Sequence, residues 1–222
     1  MFSVNVRELL RFFDEKPPDS AGHATALVSV LGEDLGTALL VHYLRRQHGP
    51  AEVMPDKCNT GHSKGPRLDR WVRASIDGRL LLFQVEIKNW SAHAIGGQSL
   101  ALDAQPEVVR AHKVERWSRE WDGQTFRKSK VGKVLEPMAK PLDLPVEPLV
   151  CFWDAMHPDG LDEPMFAVPL PGPSFQLARI FSMSAYLRLL GVETIDLELP
   201  GTERRLEWLH RVLGIGSDVV GA

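Results

Sequence analysis

At 222 residues the chain is long enough for one domain with a proper core, and its composition is that of an ordinary soluble globular protein. A formal net charge of −3 excludes the global basic footprint that marks many nucleic-acid binders and leaves a polyanion only local patches to bind. Two cysteines, Cys58 and Cys151, exclude a disulfide framework and a zinc-type pair, and no apolar run is long enough to span a bilayer.

Residues 4 to 14 read as a short amphipathic helix carrying Val4, Leu9, Leu10, Phe12 and Phe13, stopped before Pro17-Pro18. An arginine inside this apolar stretch and the lack of a small-residue cleavage site argue against a secretory signal, so a reducing cytoplasm is the expected compartment. Asp19 or Ser20 can cap a second helix running from about 21 to 47. Gly32 and Gly36 weaken its middle, a break is expected near Gly32, and Gly49-Pro50 stops it. Glu33 opens the later half and shares a helical stripe with Gly36, Thr37, Leu40 and Leu44, which is apolar or small and should face a sheet. Two readings stand for Glu33: a carboxylate aimed at a metal, or, with Asp34, a charge favoured by the positive end of a helix.

Residues 51 to 54 suit a short first strand. Residues 55 to 66 are rich in turn formers and poor in apolar ones. Lys57, His62 and Lys64 lie there and Arg67 follows; they suit a basic flap over phosphates or a solvated connection. His62 with Cys58 lacks the further ligands a metal site needs.

Residues 68 to 90, LDRWVRASIDGRLLLFQVEIKNW, dominate the chain. Two apolar-rich runs flank Asp77-Gly78, a dipeptide suited to the two-residue type I′ turn, in which both positions need φ > 0. With the turn there, Ile76 faces Arg79 and the ladder carries Asp69 opposite Glu86 and Arg67 opposite Lys88. Side chains alternate with a period of two, so Asp69, Glu86 and Lys88 share a face. Opposed carboxylates about 5 Å apart at Cβ repel one another, and partial dehydration raises the cost. A divalent cation would remove that repulsion, because hard cations take carboxylate oxygens. A lysine on the same face could hold or deprotonate a water beside it. The alternative is a surface ion pair on a salt-laced ribbon.

Asp69 followed by Glu86-Ile87-Lys88 at the end of the next strand resembles the PD-(D/E)XK nuclease superfamily, over roughly residues 30 to 155. Leu68 departs from the pattern, standing where the motif has proline. The resemblance implies a restriction-endonuclease-like α/β/α sandwich around a central mixed β-sheet. It implies that Asp69 and Glu86 bind Mg²⁺ (Mn²⁺ substituting), that Glu33 and the carbonyl of Ile87 are further ligands, and that Lys88 helps activate the attacking water.

Beyond the hairpin, a helix is expected from about 99 to 121, with Pro106 near its start. Arg110, Lys113, Arg116 and Arg119 recur at every third position near Trp117 and Trp121, which suits either a backbone-tracking surface for nucleic acid or an ordinary exposed face. Residues 149 to 153 read as a buried strand beside the hairpin, the fourth of the sheet, and residues 165 to 170 as another short strand. The type of residues 175 to 181 stays open. A helix over 182 to 190 ends at Gly191, residues 194 to 199 alternate as a strand, and Thr202 can cap a helix to about 213.

The chain is therefore expected to be one domain: N-terminal helices over 1–30, a nuclease-like core over 31–157 and a C-terminal α/β extension over 158–222. The leading expectation is a metal-dependent phosphodiesterase, a DNA endonuclease, with restriction or phage defence suggested by superfamily analogy alone. A homodimer would suit the cutting of two strands. The alternative is a catalytically inactive nuclease-like module that binds nucleic acid or protein.

Overall fold

The structure is a computed structural model, and it describes residues 1–14, 23–55, 68–88, 105–120, 132–170 and 174–214. Its centre is a six-stranded mixed sheet in the order β2-β3-β4-β5-β7-β6. The strands are β2 (Ala51–Val53), β3 (Arg70–Ile76), β4 (Arg79–Lys88), β5 (Val146–Phe152), β6 (Met165–Pro169) and β7 (Leu177–Ser182). β4, β5 and β7 run parallel, and β2-β3, β3-β4 and β6-β7 pair antiparallel. Residues after 157, expected as an appendage, thus supply two strands of this same sheet. β7 was hidden because Pro and Ser surround it, yet Ala178, Ile180 and Phe181 are fully buried between β5 and β6.

The alternation of buried residues fills both faces. Val72, Ala74, Phe83, Val85, Ile87, Cys151 and Phe181 point to one core. There they meet Leu35, Leu39, Leu40 and Leu44 of α2 (His23–His48), Leu9 and Phe13 of α1 (Val6–Asp14), and Tyr186 and Leu187 of α4 (Met183–Leu190). Trp71, Leu82, Val150, Phe152 and Ile180 point to the other core, under Trp117 of α3 (Pro106–Glu120) and Val134 of a 3₁₀ turn (Gly132–Leu135). Burial on both faces is what a parallel centre requires. Gln84, fully buried on β4, satisfies itself on that turn: its amide donates to the carbonyls of Val134 and Glu136 (the latter at 2.8 Å) and accepts the Met138 N–H at 3.3 Å.

The break in α2 falls at Gly32, with φ 54° and ψ −141°, a backbone state that favours glycine. α4 stops at Gly191 in the left-handed conformation, as its sequence position predicts. The N-terminus differs from expectation. Residues 2–5 form β1 (Phe2–Asn5), which pairs with β8 (Thr194–Leu197) in a separate two-stranded ribbon. The helix begins only at Val6, where Asn5 Oδ1 accepts the Glu8 N–H at 2.9 Å as an N-cap. Distant pairing with β8 overrides the local helical pattern. A last helix, α5 (Pro200–Leu213), lies against α2. Thr202 is inside its first turn rather than capping it. Among the described residues no helix is long and apolar enough to cross a membrane.

Candidate functional site

The hairpin turn forms at Asp77 and Gly78, with φ 52° and 74°. The ladder runs from Ile76↔Arg79 to Arg70↔Val85, the register that the turn dictates. It stops one pair short of Asp69 and Glu86. Asp69 bends out of the strand, and its Oδ2 accepts the backbone N–H of Ile87 at 2.7 Å. The two carboxylates are therefore not a flat cross-strand pair: a charged acceptor has taken a backbone donor at the ladder's end.

Glu86 is only 6% exposed, and its Oε1 accepts a charge-assisted hydrogen bond from Lys88 Nζ. Their common direction follows from the period of two on β4. Glu33 arrives from the opposite element, one residue past the Gly32 break. Its carboxyl is pushed above the usual range, first by burial and then by the negative charge of Asp69. A carboxyl–carboxyl hydrogen bond with Asp69 and the charge of Glu86 push the same way, against the guanidinium of Arg70. Mutual influence of this kind means that Glu33, Asp69 and Glu86 share one neighbourhood, with Lys88 attached through Glu86. Cys151, paired in register with Ile87, belongs to the same region; burial drives its thiol well up, and the charge of Asp69 adds to the effect.

One participant, Arg70, is not among the residues that the sequence pattern singles out. Arg70 Nη1 stands 3.3 Å from Glu33 Oε2 and donates to the Asp69 carbonyl at 2.6 Å, while Nη2 lies 3.6 Å from Asp34 Oδ1. The signal was available: Arg70 is out of phase with Asp69, so alternation sends it towards α2. Asp34 is buried and does serve a helix N-terminus, but that of α5. Its Oδ2 accepts the Thr202 N–H at 2.5 Å, with Arg205 at 4.0 Å. Ile87 packs its side chain beneath Gly36 of α2, where a Cβ would stand 2.7 Å from Ile87 Cγ2.

Of the expected nucleic-acid contacts, Lys57, His62, Lys64 and Arg67 lie outside the described residues. Lys113 and Arg116 are on α3, with side chains outside the described parts. Arg110 holds the loop after β5, donating to the Gly160 carbonyl at 2.7 Å and to Asp162 Oδ2 at 3.1 Å.

Among the described residues no group of three or more His, Cys, Asp or Glu side chains stands ready to hold a metal ion. The donor chemistry nevertheless suits a hard cation: crowded carboxylate oxygens, with Asp69 and Glu86 raising the proton affinity of Glu33 and with Lys88 and Arg70 supplying the compensating charge. Lys88 occupies Oε1 of Glu86, so a cation taking that oxygen would displace it. Comparisons with family models, with curated proteins and with solved structures find no match to this chain.

Proposed function

We propose that the protein is a metal-dependent phosphodiesterase acting on DNA, built on a restriction-endonuclease-like variant of its mixed α/β fold. The observation that supports this reading is the convergence of Glu33, Asp69 and Glu86, from three separate chain segments, on one neighbourhood with Lys88. Asp69, Glu86 and the Ile87 carbonyl would hold Mg²⁺ or Mn²⁺, with Glu33 as a further ligand. Bound there, the cation supplies positive charge to the scissile phosphate and its developing oxyanion. Lys88, released from Glu86, would orient the attacking water as a donor; to accept that water's proton it would first have to give its own ammonium proton to solvent. Arg70 keeps Glu33 in place. The Ile87 N–H holds one oxygen of Asp69, so that carboxylate keeps a constant direction.

A second reading has its own support. Lys88 on Glu86 and Arg70 on Glu33 already balance the acidic charges internally, as a binding module without catalysis would. Incubation of supercoiled plasmid and a linear single strand with Mg²⁺, Mn²⁺ or EDTA, beside Lys88→Ala, separates the two. Metal-dependent nicking lost in Lys88→Ala supports the phosphodiesterase. No cutting, together with no metal-dependent heat in calorimetry, leaves the binding module.

A further inference from the structure

A cleft of about 480 Å³ opens between α2, the end of β2, β8 and the start of α5, within the range of roughly 300–1,000 Å³ common for ligand clefts. Val41 of α2, Val53 and Met54 at β2 and Pro200 of α5 give it apolar walls. The charged side chains around it carry both signs. Arg70 and Asp34, at the end next to Glu33, face each other at 3.6 Å. The other four are not matched in this way: among the described residues none of Arg45, Arg204, Asp196 and Glu198 forms an ion pair. All four are exposed, so solvent serves them until something fills the cleft.

The two signs stand on different walls. On α2, Arg45 is fixed through its Nε, which donates to the Ala51 carbonyl at 3.0 Å and leaves both Nη groups without a partner among the described residues. The field on this wall is positive. His42 lines the same cleft, and after burial the charges of Arg46 and Arg45 hold it below its ordinary value. On the opposite side, Asp196 and Glu198 alternate with buried Ile195, Leu197 and Leu199, so the period of two puts both carboxylates on one face. A simple anion drawn to Arg45 would be repelled by Asp196 and Glu198, and a simple cation drawn to those carboxylates would be repelled by the arginines. A molecule with an anion at one end and a cation at the other gains from both walls.

We infer that this cleft binds a zwitterion with an apolar body, about the size of a dipeptide. Its carboxylate lies on Arg45 and Arg204, its ammonium on Asp196 and Glu198, and its side chains on Val41 and Val53. Guanidinium donors match carboxylate oxygens in pairs, and each contact is charge-assisted. The termini of an extended dipeptide stand about 7 Å apart, which lets them reach separate walls. None of this rests on the phosphodiesterase reading.

The test is titration calorimetry of the full chain with leucyl-leucine and with two forms that each lack one charge, N-acetyl-leucyl-leucine and leucyl-leucinamide. Leucyl-leucine should bind, and each blocked form should bind about tenfold more weakly or worse, the scale of one lost charge-assisted hydrogen bond. Asp196→Asn/Glu198→Gln should weaken leucyl-leucine by a similar factor and leave the acetylated form no weaker than before. Arg45→Gln/Arg204→Gln should weaken leucyl-leucine and spare the amide, with circular dichroism confirming the fold of both variants. Equal binding of the acetylated form (an anion site) or of the amide (a cation site) overturns the inference. So does the absence of heat with all three compounds, or an affinity that neither double variant changes. Plasmid cleavage plays no part in these outcomes, so failure here and failure of the phosphodiesterase reading are distinct results.

Discussion

The carboxylate of Asp69 accepts the backbone N–H of Ile87 at 2.7 Å, binding the residue before β3 to the centre of the Glu86-Ile87-Lys88 run. One side chain therefore has a structural task and a proposed chemical one, and substitutions can separate them. Asp69→Asn keeps an oxygen acceptor for the N–H and loses the charge. Asp69→Ala leaves the donor without its acceptor, at a cost of about 1–3 kcal/mol. Urea unfolding should place Asn near the parent and Ala well below it, while plasmid cleavage is abolished in both. Equal destabilisation by the two variants would show that the hydrogen bond contributes little.

Gly36 lies where α2 crosses β4. A methyl group there would meet Ile87 Cγ2 at 2.7 Å and Met183 Sδ at 3.4 Å. Alanine gains about 1 kcal/mol of helix propensity over glycine, but overpacking costs about 1–3 kcal/mol, so Gly36→Ala should be neutral to destabilising. Because Ile87 lies between Glu86 and Lys88, cleavage should fall further than stability does. Ile87→Ala in the same chain should recover part of the loss, read as a favourable coupling in a double-mutant cycle. A higher Tm for Gly36→Ala alone would contradict this packing.

Arg70 joins Glu33, Asp34 and the Asp69 carbonyl. Arg70→Met removes the cation from a buried Asp34 that still keeps its bond to the Thr202 N–H. The expected loss is about 1–3 kcal/mol, below the cost of fully stranding a buried charge. Arg70→Lys should recover only part of it, since an ammonium cannot reach three acceptors as a fork does. Chemical denaturation of the two variants measures both effects; equal stability of Met and Lys would mean that the fork is immaterial.

His42 and Tyr186 predict a pH dependence of stability away from the acidic neighbourhood. Tyr186 Oη and His42 Nδ1 are 2.5 Å apart, and burial pushes the phenol up to about 12, so the hydroxyl is the donor and Nδ1 must be unprotonated. Burial first, then Arg46 and Arg45, hold His42 below its ordinary 6.5. The unfolded chain therefore binds the proton more readily. The stabilisation is present above about pH 6.5 and is lost as the pH falls through the lower folded value. Thermal unfolding from pH 7.5 down to about 5 should show this loss, and His42→Gln should flatten it. A His42→Gln profile parallel to the parent's would contradict it.

Several features of this protein follow from its sequence alone because they depend on local geometry. Asp77-Gly78 selects the turn, the turn selects the register, and the register carries Asp69 to the neighbourhood of Glu86. Gly32 breaks α2 where its φ becomes positive, which puts Glu33 at the start of a new helical half, and Gly191 ends α4 for the same backbone reason. Other features were decided only by tertiary structure, because each needs a partner far along the chain. Residues 2–5 are a strand because β8 is there to pair with them. β7 exists because β5 and β6 cover both its edges. Asp34 caps α5 rather than its own helix because the folded chain brings the Thr202 N–H to within 2.5 Å. Arg70 becomes the clamp on Glu33 only once α2 lies across the sheet. Period and turn chemistry act over a few residues; burial of a charge and pairing of an edge are settled by whatever segment arrives from a distance.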